Sequence, residues 1–448
     1  MNTAATGIVS LCDLYVFRLG ALLGAWQTFA WKIVVYPSLS RPLEGIRVLD
    51  LTMALAGPYA SFILASMGAQ VIRIEAPRSR DGARNSPPFL GPRGWNHGAP
   101  QPDEVSLSVV DRAHSKQSVT LNLKTEQGRV MFMDLVKLSD VVLENMSHGT
   151  TERLQIDWPQ VQAVNPRIVY ASISGFGDNP AFEGLKGSDI IIQALSGWMH
   201  VTGEAGGAPT RIGVPVADLV TPLFAVNGIL AALVQRGRTG AGQHVQVAML
   251  DCMVALLAAE HLDVAAHEGR PLRTGNSLDR LVPFGVYACQ DGHIALVAHH
   301  SEKFAALADA MQHPELMHNP QYLDLGFRQQ HAAQINAWIE AWTQQHTMAQ
   351  VLEAVYTQRG IPAAPVRSPM QALADPHLLA NGAIGQLAAA AIGGVLPTGL
   401  GQPIQFSAVP AMQHPAAQTL GQANADVYGE LLGLSPLQLQ QFQAQGVI

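Results

Sequence analysis

The chain has 448 residues, of which 48% are hydrophobic and 14% charged, with a formal net charge of −7. That length exceeds one ordinary core and predicts two domains, or one large domain with an insertion. The composition excludes extended disorder, and the acidic balance offers no basic face for nucleic acid. Cys12, Cys252 and Cys289 are too scattered for a CxxC pair or a disulfide framework, which fits a reducing, cytoplasmic compartment. Histidines occur without HExxH or a tight Cys/His cluster, so no metal site is expected.

Residues 1–41 form an aromatic and apolar N-terminal extension. Its charge-free piece Leu19–Trp31 spans 13 residues, short of the roughly 20 that a spanning helix needs. No Lys or Arg precedes Arg18, which argues against a secretory signal. A surface-packed helix or an upstream start codon is the plain reading. A helix lying on a membrane surface is the sharper one.

Residues 45–77 read as strand, helix, strand. Ile46, Val48, Leu49 and Leu51 make a buried strand, Gly57-Pro58 opens a helix, Gly68 closes it, and 71–75 is the next strand. A crossover of this length makes a right-handed parallel βαβ unit. Residues 78–112, rich in Pro, Gly, Arg and Asp, read as one long loop. Then come a strand (118–124), a helix (126–139), a strand (140–145), a helix over 150–154 and a strand (167–176). Each strand ends in a polar or glycine-containing turn, as in a doubly wound sheet that binds ligands at its carboxyl edge. A strand-like run leads into a long apolar helix at Asp218, followed by the strand 244–250. Residues 283–297 look like a hairpin turning at Asp291-Gly292. Helices over 302–312 and 329–359, a Pro-rich boundary at 360–369 and a terminal helix at 436–446 complete the chain.

The fold class expected is α/β: a doubly wound, parallel-sheet (Rossmann-like) large domain over 42–250 and a smaller α+β domain over 265–400. Residues 401–448 return to the large domain. The first βα turn, TMALAGP, is not G-x-G-x-x-G. No P-loop and no G-x-S-x-G elbow occur, which speaks against dehydrogenase, P-loop and serine-hydrolase chemistry.

Asp218 is the one charged side chain between Arg211 and Arg236. Its position before an apolar helix fits an N-cap. A carboxylate in an apolar wall near a helix N-terminus also fits an ionised nucleophile. The two roles are compatible.

Several runs together resemble the class III CoA-transferase family, which includes formyl-CoA transferase, the carnitine-linked CoA-transferases and alpha-methylacyl-CoA racemase. They are PLEGIRVLDLTMALAGPYASFILASMGAQVIRIEAP, QSVTLNLKTEQG, SDVVLENMSHGTTERLQID, NPRIVYASISGFG, GSDIIIQALSGWMHVTGEAGGAP, VADLVTPLFAVNGILAALVQRGRTGAGQHVQVAMLD and FGVYACQDGHIAL. GIPAAPVRS and ADPHLLANG continue the match. It covers about residues 42–448, and the order of the set carries its specificity.

The resemblance implies that Asp218 is the catalytic aspartate. It would attack a donor acyl-CoA, pass through a mixed anhydride to an aspartyl-CoA thioester, and hand CoA to an acceptor carboxylate. It implies CoA-contacting positions at Lys124, Asn145, Arg153 and Lys186, an adenine contact at Leu121, and further contacts in the first turns at Ala54, Leu55 and Arg78. Coenzyme A enters as a thioester substrate, with no permanently bound cofactor. The partners implied are an acyl-CoA, a carboxylic acid and a second copy of the chain in an interlocked homodimer.

Departures matter. Formyl-CoA transferase has a basic residue directly after the first IE, where this chain has Ala76, and a Gln where it has Leu55. Formate and oxalate are therefore poor expectations. The racemase has a His before the Asp of its GHD motif, where this chain has Ser188, a poor base for racemisation; Asp189 is then expected to be structural. The alternatives are an acyl-CoA racemase or isomerase of the same fold and a non-catalytic CoA-binding subunit. The runs 87–95 and Trp198-Met199 hint at a hydrophobic or aromatic acyl group, and the 203–209 loop GEAGGAP fits either a plain turn or a wall near that group.

Overall fold

The structure is a computed structural model. It describes residues 41–448 apart from 80, 183, 279, 390–393 and 410–413, and only the backbone at 318, 386–389 and 394–397. The expectations for the N-terminal extension fall, except at Arg41, outside the described residues.

The first βαβ unit is β1 (Arg47–Asp50), α1 (Ala56–Ser66) and β2 (Gln70–Glu75). Where one long loop was expected, the chain forms β3 (Phe89–Gly91), β4 (Gly94–Asn96), β5 (Val105–Ser106) and α2 (Leu107–Ala113). These strands are two or three residues long, too short for a hydrophobic period to mark. Then follow β6 (Gln117–Thr120), α3 (Glu126–Lys137), β7 (Val141–Glu144), α4 (Thr150–Leu154), α5 (Trp158–Val164) and β8 (Val169–Ser174). After them come α6 (Asp189–Leu195), α7 (Trp198–Val201), α8 (Val216–Thr239), β9 (His244–Ala248) and α9 (Met249–Ala258). The strand-like run expected to lead into Asp218 is not a strand; 211–215 is irregular.

Six strands pair in the order β6-β2-β1-β7-β8-β9, all parallel. A parallel sheet is buried on both faces, so adjacent residues of one strand serve different cores. Val48, Val71 and Val141 pack with Ile63 and Leu64 of α1 and Ala225 and Ile229 of α8. Leu49, Ile72 and Val142 pack with Phe132 and Leu135 of α3 and with Tyr428, Val447 and Ile448 from the chain's end. The end of the chain also covers the outer edge of β6, where Asn122 N donates to Val447 O at 2.7 Å; the strand itself ends at Thr120, short of the expected 124.

A second core is built on β10 (Phe284–Cys289), β11 (Gly292–Val297) and β12 (Ala363–Pro365), an antiparallel sheet. Its core includes Ile294, Leu296, Phe304, Ile335 and Ile339. The helix expected over 329–359 is broken: Ala332–Thr343 and Met348–Leu352 are separate, and Thr347 starts the second with a capping box to Gln350. Such a box satisfies the orphan donors of a new helix start. Two further strands, β13 (Ile384–Ala389) and β14 (Gly394–Leu400), pair antiparallel.

Candidate functional site

The sheet grows outward from β1 through β2 to β6, then resumes on the other side of β1 with β7, β8 and β9. The loops after β1 and β7 therefore diverge. A crevice at such a switch point is where open α/β sheets bind ligands. Asn145, directly after β7, bridges the divergence. Its Oδ1 accepts from Met53 N at 2.8 Å and its Nδ2 donates to Met53 O at 2.9 Å.

The next residue, Ala54, has φ +63, a conformation that non-glycine residues seldom adopt without outside support. Here the support is explicit. Ala54 N donates to Asp81 Oδ1 at 3.0 Å, and Arg112 Nη1 donates to Ala54 O at 3.0 Å. Asp81 is paired in turn with the buried Arg73. Gly57 lets the turn fold back onto α1, since a Cβ there would lie 2.3 Å from Thr52 Cβ. Three separated segments thus hold a two-residue turn.

Asp218 sits in the first turn of α8. Because α8 leads back into the parallel strand β9, that turn lies at the carboxyl edge of the sheet. Asp218 does not cap its helix. The cap position is Pro215, which has no side chain able to cap, and the cap is supplied from another helix. Asp189 Oδ1 accepts from Ala217 N at 2.8 Å and from Asp218 N at 3.5 Å. Asp189 Oδ2 accepts from Gln193 Nε2 at 2.6 Å, and Gln193 Oε1 accepts from Ile212 N at 2.9 Å. So α6 clamps the approach to α8. Gly187 permits this by close contact with the end of β8: a Cβ on it would lie 2.6 Å from Gly175 Cα.

With the first amides taken by Asp189, the α8 N-terminus does not hold Asp218 at an ordinary carboxylate pKa. Burial pushes Asp218 up to about 6, the Asp189 charge adds to this, and Arg112 opposes it. At neutral pH a carboxyl of that pKa is still ionised by about ten to one, and it is more basic than a surface aspartate. Among the described residues no donor reaches its carboxylate oxygens.

The other expected residues fall on the loops after successive strands. Leu55 is the residue before α1, and Ala54 lies beside it in the clamped turn. Arg78 follows β2, Lys124 follows β6, Arg153 lies in α4 and Lys186 precedes α6; all four are exposed. Arg153 bonds to Thr150 Oγ1. Among the described residues, the side chains of Arg78, Lys124 and Lys186 have no hydrogen-bond or ion-pair partner. Free cations along one edge suit phosphate oxygens. Leu121 differs: it is 1% exposed and its side chain belongs to the core. Asn145 is likewise engaged by Met53, so its side chain positions the turn.

Arg112 is the residue that sequence reasoning missed, because it lay within an expected loop. It lines a cleft of ≈ 640 Å³ together with Tyr59, Trp95, Leu107, Leu373 and Leu400. Trp95, from the 87–95 run, lines this cleft. Trp198 does not share that cleft: it packs in a core with Phe176 and Met253 and donates to Met253 O at 2.9 Å. The 203–209 loop is held as a turn by Arg273, which donates to the carbonyls of His200 and Gly207. Among the described residues no cluster of three His, Cys, Asp or Glu is placed to hold a metal ion.

A family model described as CoA-transferase family III matches residues 43–424. The chain is 37% identical over 343 residues to a succinyl-CoA:mesaconate CoA-transferase of Haloarcula marismortui, covering 75% of this chain and 83% of the relative. It is 33% identical over 397 residues to a succinate–glutarate CoA-transferase of Agrobacterium fabrum, covering 88% and 97%. The crystal structure of a CAIB/BAIF family protein from Brucella suis superposes with a TM-score of 0.74 at 30% identity, covering 88% of this chain and 100% of that one.

Proposed function

The chain belongs to CoA-transferase family III and is an acyl-CoA:carboxylate CoA-transferase; we propose that Asp218 is its covalent nucleophile. The observation that carries this is Asp218 itself, a half-buried carboxylate raised to about 6 at the carboxyl edge of the sheet. A carboxylate oxygen attacks the donor thioester carbonyl, the C–S bond breaks, and CoA leaves as thiolate with a mixed anhydride on Asp218. The thiolate attacks the aspartyl carbonyl, which gives an aspartyl-CoA thioester and frees the donor acid. The acceptor carboxylate repeats these steps in reverse and leaves as its CoA thioester. Every step exchanges one acyl bond for another, with no oxidant and no net proton. Arg78, Lys124, Arg153 and Lys186 would meet the CoA phosphates.

The test is trapping. The protein is incubated with acyl-CoA donors, treated with borohydride or hydroxylamine, and the modified residue is located by mass spectrometry. Labelling at Asp218 is the expected outcome; no label at Asp218 with any donor, despite CoA binding, would end the covalent reading.

A pH dependence follows. Only ionised Asp218 is a nucleophile, so the single-turnover rate should fall about tenfold per pH unit below pH about 6. Asp189→Asn removes the like charge while an amide oxygen can still accept from Ala217 N. Its acid limb should shift toward lower pH. A limb that stays in place would show that Asp189 has no electrostatic hold on Asp218.

Both named relatives act between dicarboxylic acids, succinate with mesaconate or glutarate. We propose dicarboxylic acids as the substrate class here too. A homodimer is also proposed, supported by apolar side chains exposed on α8 and α9: Leu223, Phe224 and Val234, then Val254 and Leu256. Sedimentation of the full chain reads this directly.

A further inference from the structure

We propose that Arg112 binds the distal carboxylate of a dicarboxylic acyl group held at Asp218, and so sets the substrate preference. This rests on the transferase reading above. The cleft is walled mainly by Tyr59, Trp95, Leu107, Leu373 and Leu400, and two charged side chains, Asp111 and Arg112, enter it. Asp111 is already engaged, because its Oδ1 accepts from Leu400 N at 2.8 Å. Burial also raises its pKa.

Arg112 is in the opposite condition. Its one hydrogen bond among the described residues is from Nη1 to Ala54 O, and no described carboxylate lies within ion-pair distance of it. A guanidinium presents five donors in a planar fork that fits a carboxylate in two parallel bonds. A half-buried fork with most donors unused is costly to leave unpaired and is satisfied by a ligand carboxylate.

The placement is also suitable. Arg112 is braced on the turn at the switch point, and its charge acts on Asp218. An acyl chain with one end on Asp218 and an anionic end on Arg112 would lie across the site. Donor and acceptor pass through the same anhydride on Asp218, so one arginine would serve both acids. A monocarboxylic acyl group would leave the fork unpaired.

The experiment compares kcat/KM for succinyl-CoA and for butyryl-CoA, against a fixed acceptor, in the wild-type chain, Arg112→Met and Arg112→Lys. The two donors have four-carbon acyl groups and differ in the distal carboxylate. The wild-type chain should prefer succinyl-CoA. The ratio should fall on the order of 10²-fold in Arg112→Met and less in Arg112→Lys, which keeps the charge but loses the fork. A wild-type chain with no preference for succinyl-CoA overturns the proposal without any variant, so a misfolded Arg112→Met would not shield it. An unchanged ratio, with both donors slowed equally, also overturns it and makes Arg112 a support of the turn. Failure of the underlying reading is separate: no CoA transfer from either donor and no label at Asp218 in the wild-type chain.

Discussion

Asp218→Asn is expected to lower kcat for CoA transfer on the order of 10⁴-fold or more while CoA still binds. The expected route is covalent. An amide oxygen is a poor nucleophile, and without the aspartyl anhydride neither half of the exchange has a route. The substitution keeps the size of the side chain and leaves the clamp on α8 intact, because Asp189 holds the main chain at Ala217 and Asp218. Folding should therefore be unaffected. CoA affinity by calorimetry, turnover by mass spectrometry of product thioesters, and the borohydride label together decide the matter. Turnover within tenfold of wild type would remove Asp218 from the covalent role. Asp218→Ala serves as a check, since it has no carbonyl to react.

Lys116→Met is expected to cost about 3–5 kcal/mol of stability, because it leaves a buried carboxylate without its counter-charge. The side chains of Lys116 and Asp50 are 1% and 0% exposed and lie 3.1 Å apart. Lys116 Nζ also donates to Pro58 O at 2.8 Å and to Ser61 Oγ at 2.7 Å, so its donors are used. Asp50 accepts from Thr52 N, from the Thr52 hydroxyl and from the Ser61 hydroxyl. Burial pushes Lys116 down to about 8 despite Asp50. Burial also acts to raise Asp50, but Lys116 and the two hydroxyls outweigh it and hold Asp50 below its ordinary value. Both directions leave a charged pair at pH 7. Denaturant unfolding of Lys116→Met, Asp50→Asn and the double variant measures the coupling. A loss under about 1 kcal/mol for Lys116→Met would show that water or a local shift compensates the carboxylate. The pair ties the end of β1 to α1 and to the residue before β6, and Asp50 also holds Thr52, next to the Met53-Ala54 turn. Partial loosening should therefore appear as weaker CoA binding before global unfolding.

The alternation of apolar runs with Gly and Pro punctuation made the βαβ series readable in order, because each strand and helix records its own burial locally. Gly68 shows this: it was expected as a helix stop and has φ +104. Asp218 stood out for the same reason, as a lone charge in an apolar run, and the ordered motifs named its family. The exposed cations Lys124, Arg153 and Lys186 were reached only through the resemblance. Element ends were less legible. β6 ends at Thr120 rather than 124, and its outer edge is covered at Asn122 by residue 447, over 300 positions away in the chain.

What the sequence by itself determined was the layered α/β plan, the family and the candidate nucleophile. What tertiary structure alone decided was the environment of that nucleophile. Asp189 caps a helix 28 residues downstream, Asn145 grips a turn 92 residues upstream, and Arg112 reaches across 58 residues to the same turn. Each is a side chain meeting a backbone group brought beside it only by strand order. Hydrophobic period reports which face of an element is buried. It carries no information about which distant amide or carbonyl arrives there, and those arrivals set the charge, basicity and reach of the site.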